Sequence, residues 1–178
     1  MAIIRKFHAL LLSSLLCTSV QAAGIIGSKH DLSGGDFSQI CIQCHARYIA
    51  NPDPSLPIWS IRNPSPYDTY TLYTSPTATQ IYPAQPSGVS LVCLSCHDGT
   101  LGSSQLSVSG GPDLRNDHPV SMDYPVGNSN YRTPSGGVKL FEGKVECPSC
   151  HSVHDPTNTP FLRISNGGST MCLTCHTK

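Results

Sequence analysis

The chain has 178 residues, of which 12 % are charged and 38 % hydrophobic, and its formal net charge is zero. No excess of Lys and Arg is present, so the composition excludes a nucleic-acid-binding protein as the expected class. Fifteen prolines and fifteen glycines disfavour long regular elements, and nine cysteines indicate thiol chemistry.

The first residues are typical of an export signal. Arg5 and Lys6 precede an apolar run from Ala9 to Val20, and Val20-Gln21-Ala22 is a small-residue cleavage sequence. We expect residues 1–22 to be a signal peptide cut after Ala22, with Ala23 as the alternative cleavage residue. Loss of Arg5 and Lys6 gives the mature chain a formal charge of −2.

Two further expectations concern the membrane. Cys17 follows two leucines rather than a small residue, so we do not expect it to be lipidated. Later in the chain no apolar run approaches the roughly 18 residues that a membrane-spanning helix needs. The mature chain is therefore predicted to contain no membrane span.

The predicted elements are short and separated by long irregular segments. In chain order we predict a helix over 36–46, a Pro-rich loop containing Trp59 over 51–87, a helix over 87–97, a Gly-rich segment over 99–143, a motif segment over 145–154 and a helix over 168–176. Each helix and the 145–154 segment carry one copy of a repeated cysteine motif.

That motif is Cys-x-x-Cys-His. Its four copies are Cys41-Ile42-Gln43-Cys44-His45, Cys93-Leu94-Ser95-Cys96-His97, Cys147-Pro148-Ser149-Cys150-His151 and Cys172-Leu173-Thr174-Cys175-His176. The pattern attaches c-type haem: two thiols bond the porphyrin and the next imidazole ligates the iron. Paired zinc knuckles are the plainer alternative, but zinc does not require a histidine after each second cysteine. Four covalent haems are predicted.

Four haems in the mature chain leave about 39 residues for each, which is little polypeptide for an independent core. We therefore predict a mostly irregular multihaem cytochrome c with short α-helices, wrapped around a stack of four haems. Residues 23–178 form this tetrahaem domain. Similarity between residues 90–97 and 169–176 favours two diverged two-haem halves, about 23–110 and 111–178.

Histidine accounts for most of the predicted iron ligands. His45, His97, His151 and His176 belong to the motifs, and His30, His118 and His154 are predicted as distal ligands. His154 follows His151 by three residues and lies on the same side of the chain, so the two cannot clamp one iron. His154 is therefore expected to reach a neighbouring haem.

Seven histidines leave one of the eight axial positions of four irons unfilled. The open alternatives are Met122, Met171, Tyr48, the new α-amino terminus, a histidine from another chain, and water. Methionine would raise that haem's potential, and water would leave a potential reaction site.

Several blocks resemble a known family. They are Gly27–Ser33, Cys93–Thr100, Asn116–Ser121, Cys147–His154 and Phe161–Arg163. The chain resembles multihaem c-type cytochromes with doubled CXXCH motifs from metal-reducing bacteria, and especially tetrahaem subunits of extracellular cytochrome filaments. The resemblance implies distal roles for His30, His118 and His154. It also implies a histidine three residues after His45, where this chain has Tyr48.

The expected function is electron transfer in periplasmic or extracellular respiration, such as metal reduction, without a catalytic residue. Redox partner cytochromes or extracellular acceptors are the expected partners, and the sequence leaves open a conductive homopolymer with a shared haem ligand. The alternative is a haem enzyme acting on a nitrogen oxide or peroxide at the incompletely ligated iron, with Arg47 as a charge-stabilising neighbour.

Overall fold

A computed structural model describes residues 24–36, 38, 40–42, 44–45, 69–76, 82–99 and 111–177. The predicted signal peptide and most of the Pro-rich loop, including Trp59, lie outside these residues. So do Cys17, Arg47 and Tyr48. The predicted division into halves is not tested by the fold and stays a prediction.

Regular elements are few and short in the described part of the chain. In order they are β1 (Thr71–Leu72), α1 (Ser90–His97), β2 (Asp113–Leu114), β3 (Met122–Asp123), β4 (Lys144–Val145), α2 (Cys147–Cys150), a 3₁₀ turn (Gly167–Ser169) and α3 (Thr170–Leu173). The prediction of a mostly irregular chain with short helices is confirmed. None of the described helices is long and apolar enough to cross a membrane.

The strands form two small sheets. Parallel β1 and β2 pair Thr71 with Asp113. Antiparallel β3 and β4 pair Met122 with Val145. The second sheet matters for the motifs, because β4 leads directly into α2 and so fixes the start of the third motif.

The predicted helices are longer than the observed ones. α1 ends at His97 as predicted but begins at Ser90, because Gly88 has a left-handed φ of 56° that helical residues do not adopt. The last helix begins at Thr170, after left-handed Ser169. The described residues of the predicted helix over 36–46 form turns and a 3₁₀ position at Ser38 rather than a continuous α-helix, although the His45 amide makes a helical hydrogen bond to the Cys41 carbonyl. A haem motif needs only a single helical turn, which is shorter than the predicted helices.

The buried apolar core is small for the length of chain described. It consists of Ile25, Ile40, Tyr70, Leu94, Met122, Val138 and Met171. Buried polar side chains are nearly as numerous, and the most enclosed of all are Ser90, Asp98, Ser121 and Ser149. Apolar packing among the described residues is thus too slight to dominate the folding energy. The prediction that porphyrins complete the core stays a prediction.

Candidate haem sites

A single backbone turn recurs at the Cys-x-x-Cys-His motifs. In the first, third and fourth motifs the histidine amide donates to the carbonyl of the first cysteine, over 2.8, 3.2 and 2.9 Å. The second motif lies within α1. An i to i+4 bond brings residues three and four apart onto one side of the turn. Both thiols of each motif therefore face a common direction, as attachment to one porphyrin edge requires.

None of the eight motif cysteines is in a disulfide, and each of these residues is exposed or half-buried. All eight thiols are therefore free to form thioether bonds. Within the described residues, no group of three or more His, Cys, Asp or Glu side chains is arranged to hold a metal ion. The histidines come together in pairs instead.

Three histidine pairs join a motif histidine to a histidine outside the motifs. The ring centroids are 6.0 Å apart for His30 and His97, 6.2 Å for His45 and His154, and 6.3 Å for His118 and His176. Imidazole nitrogens lie about 2 Å from a bound first-row metal ion, so two rings on opposite sides of one ion have centroids roughly 6–6.5 Å apart. All three pairs have the spacing that one iron between two imidazoles requires.

Burial favours the ligating form of several of these rings. It lowers the pKa of His30, and the neighbouring His97 and His151 lower it further. Burial is also the first cause of the lowered pKa of His154 and of His176. A lowered pKa keeps the imidazole neutral near pH 7, with one nitrogen lone pair available for a metal.

Backbone carbonyls orient two further rings. Nδ1 of His118 lies 3.0 Å from the carbonyl oxygen of Pro119, and Nδ1 of His151 lies 2.9 Å from that of Pro160. A carbonyl can only accept, so each contact places the proton on Nδ1 and leaves Nε2 for the metal. This is the usual support of a histidine that binds iron through Nε2.

Two aromatic side chains pack beside the pairs. Phe161 meets the ring of His30 edge-on at a centroid distance of 4.8 Å, and Tyr131 lies 5.1 Å from His176. Tyr131 also lines an open groove of about 440 Å³ together with Tyr124 and Leu140. Tyr131 therefore connects this groove to the His118–His176 pair. Sequence reasoning did not assign a role to these aromatics.

The second and third motifs meet through their first cysteines. The Cys93 and Cys147 thiols are close enough to interact, which raises the pKa of Cys93 well above its usual value and lowers that of Cys147. His151 also acts electrostatically on the ring of His97. Two haem attachment edges therefore lie side by side here.

The outer motifs join this central contact at its two ends. Burial and then the neighbouring Cys96 raise the pKa of the Cys44 thiol. Burial, and then Cys175 and Cys172, raise that of Cys150. The first motif therefore lies near the second and the fourth near the third, and the pairing of His45 with His154 brings the first motif near the third as well.

A buried carboxyl group holds the central contact together. Glu146 is 3 % exposed, and its Oε2 accepts hydrogen bonds from Ser90 in α1 and from Ser121 at 3.1 Å. Ser90 Oγ in turn accepts the Cys147 amide at 3.0 Å. Ser149 completes a capping box with Glu146 at the start of α2. The motif turns of the second and third sites are therefore hydrogen-bonded to each other through one carboxylate.

Burial raises the pKa of Glu146, against the opposing effect of its hydrogen bonds to Ser90 and Ser121. The role of Glu146 was not predicted from the sequence. Its only sequence signal is the spacing of Glu146 and Ser149 around the first turn of α2, which is the reverse of the usual Ser-x-x-Glu capping box.

Of the proposed substitutes for an eighth histidine, both methionines are buried. Met122 and Met171 are each 8 % exposed and belong to the small apolar core. Tyr48 lies outside the described residues.

Comparison with known proteins supports the predicted haem-attachment motifs over part of the chain. Residues 140–178, which include the third and fourth motifs, match the family described as the doubled CXXCH motif. No curated protein and no solved structure matches the chain. The family match supports covalent attachment of c-type haem at the doubled motifs of this segment, as in multihaem cytochromes.

Proposed function

We propose that this protein is an exported tetrahaem c-type cytochrome that transfers electrons in periplasmic or extracellular respiration. The observation that carries the proposal is the set of three histidine pairs with centroid distances of 6.0–6.3 Å. Each pair includes the histidine of a different attachment motif.

The chain's contribution is to hold and separate the cofactors. The cysteines of each motif would fix a porphyrin covalently, and each of the three histidine pairs would hold one iron. When bound, haem supplies reversible one-electron chemistry. Two histidine ligands exclude a substrate from the iron, so these three sites fit electron transfer better than catalysis.

The proximity of the motifs to one another supports passage of electrons between their haems. The second and third motifs adjoin at Cys93 and Cys147, and the first and fourth motifs lie near them. Close neighbours exchange electrons rapidly without moving parts. Glu146 and its serine partners keep the two central turns at a fixed separation.

The resemblance to filament-forming cytochromes implies that the protein is exported. It also implies that the protein passes electrons to a redox partner or to an extracellular acceptor. Assembly of copies into a conductive filament stays a prediction.

Protein-film voltammetry on the purified holo-protein tests the proposed function. We expect reversible electron uptake and release over a broad range of potential, with no sustained catalytic current when nitrite or peroxide is added. A sustained catalytic current with either compound would contradict the electron-carrier proposal and favour the haem-enzyme alternative.

A further inference from the structure

The histidine pairs identify which site lacks a second histidine. The chain has eight histidines, and His8 falls in the predicted signal peptide. Six of the other seven form the three pairs, which leaves His151. All seven are described in the structure, so this count does not depend on the residues outside it.

His154 shows why the third motif is the one left over. It follows His151 by three residues, yet its ring pairs with His45 of the first motif. A reciprocal ligand would come from the same offset in the first motif, three residues after His45. That position is Tyr48. The segment after the third motif therefore supplies a histidine to the first motif, but the segment after the first motif supplies none to the third.

A second copy of the chain cannot correct this deficit. Each copy brings seven histidines and four attachment motifs, so a closed ring or a long filament has the same shortage per copy. Exchange of ligands between copies would only move the unfilled position. Both methionines outside the signal peptide are buried in the apolar core, as described above.

The ring of His151 is set up to bind iron and is not enclosed. Its Nδ1 is bonded to the carbonyl of Pro160, which leaves Nε2 for the metal, and the residue is exposed. Its closest titratable rings, His30 and His97, are already paired with each other.

We infer that the iron position held by His151 has a solvent-accessible distal side that binds small exogenous ligands: diatomic π-acceptors in the reduced protein and small anions in the oxidised protein. This inference rests on the proposed haem attachment and goes beyond electron transfer. It gives the chain one ligand-binding site at the third of four positions, next to the Cys93–Cys147 contact.

Titration of the dithionite-reduced holo-protein with carbon monoxide tests the inference. We expect one carbon monoxide bound for every four haems. His118→Ala serves as a positive control, because removing a paired histidine opens a second position and raises the stoichiometry to two. No binding to the wild-type protein would overturn the inference, even if voltammetry showed four normal electron-transfer haems.

A second variant locates the site. In His151→Met, carbon monoxide bound opposite residue 151 has a different partner, so the iron–carbon stretching band in the resonance Raman spectrum shifts. If that haem is no longer attached, carbon monoxide binding is lost instead. The matched variant His97→Met leaves the wild-type band in place. A His151→Met protein that binds one carbon monoxide with an unchanged band would place the open position elsewhere.

Discussion

Replacement of Glu146 tests the contact between the central motifs. Glu146→Ala removes the carboxylate that accepts hydrogen bonds from the Ser90 and Ser121 hydroxyls. Ser121 can turn its hydroxyl to the carbonyl of Ser87, 3.1 Å away, but Ser90 is fully buried and has no other acceptor among the bonds described for it. An unsatisfied buried donor costs about 1–3 kcal/mol, and loss of the capping box costs about 1 kcal/mol more.

We therefore expect Glu146→Ala to lower the free energy of unfolding by about 2–4 kcal/mol. Glu146→Gln keeps an acceptor oxygen and should lose less than about 1 kcal/mol near pH 7. Guanidinium unfolding of the ferric holo-protein, followed by circular dichroism and by the Soret band, measures both. Glu142→Ala, at an exposed glutamate, is the control. An Ala variant as stable as the control, or a Gln variant as unstable as the Ala variant, would refute the reasoning.

The contribution of Glu146 to the free energy of unfolding depends on pH. Burial raises the pKa of Glu146 above its ordinary value of 4.5, so the folded protein holds this proton more tightly than the unfolded chain does. The contribution of Glu146 to stability therefore falls as pH rises from that ordinary value through the folded-state pKa. The difference in unfolding free energy between wild type and Glu146→Gln should shift in favour of the variant over this range. A difference independent of pH would contradict the assignment.

Two further substitutions test the histidine pairs. A Cβ at Gly24 would lie 2.0 Å from the carbonyl oxygen of His154, so Gly24→Ala should displace that segment and destabilise the fold, whereas at Gly167 the nearest atom is 3.6 Å away and alanine should be tolerated. Equal melting temperatures for the two variants would contradict this packing. His154→Met should raise the potential of one haem in a spectroelectrochemical titration, because methionine opposite histidine favours ferrous iron. Four unchanged potentials would show that His154 ligates no iron.

Much of the local structure was predictable because the motif dictates it. One helical turn places both thiols and the histidine, so the attachment residues and the end of α1 at His97 follow from the sequence alone. The spacing of His151 and His154 also predicted that the two do not share an iron, which agrees with the observed pairing of His154 with His45.

Which histidine outside the motifs pairs with which motif histidine was not predictable from the sequence. His30 and His118 lie in turns without periodic pattern, and their positions depend on how irregular segments fold back onto the motifs. Glu146 was missed because a carboxylate in a sequence gives no sign that it will be buried between two serines from distant segments.

The central claim is that this chain carries four haems that all exchange electrons. Coulometric reduction of the purified mature protein tests it most directly, with the polypeptide concentration measured by amino-acid analysis. The account predicts four electrons taken up and returned per chain. A reversible uptake of fewer than four would contradict it.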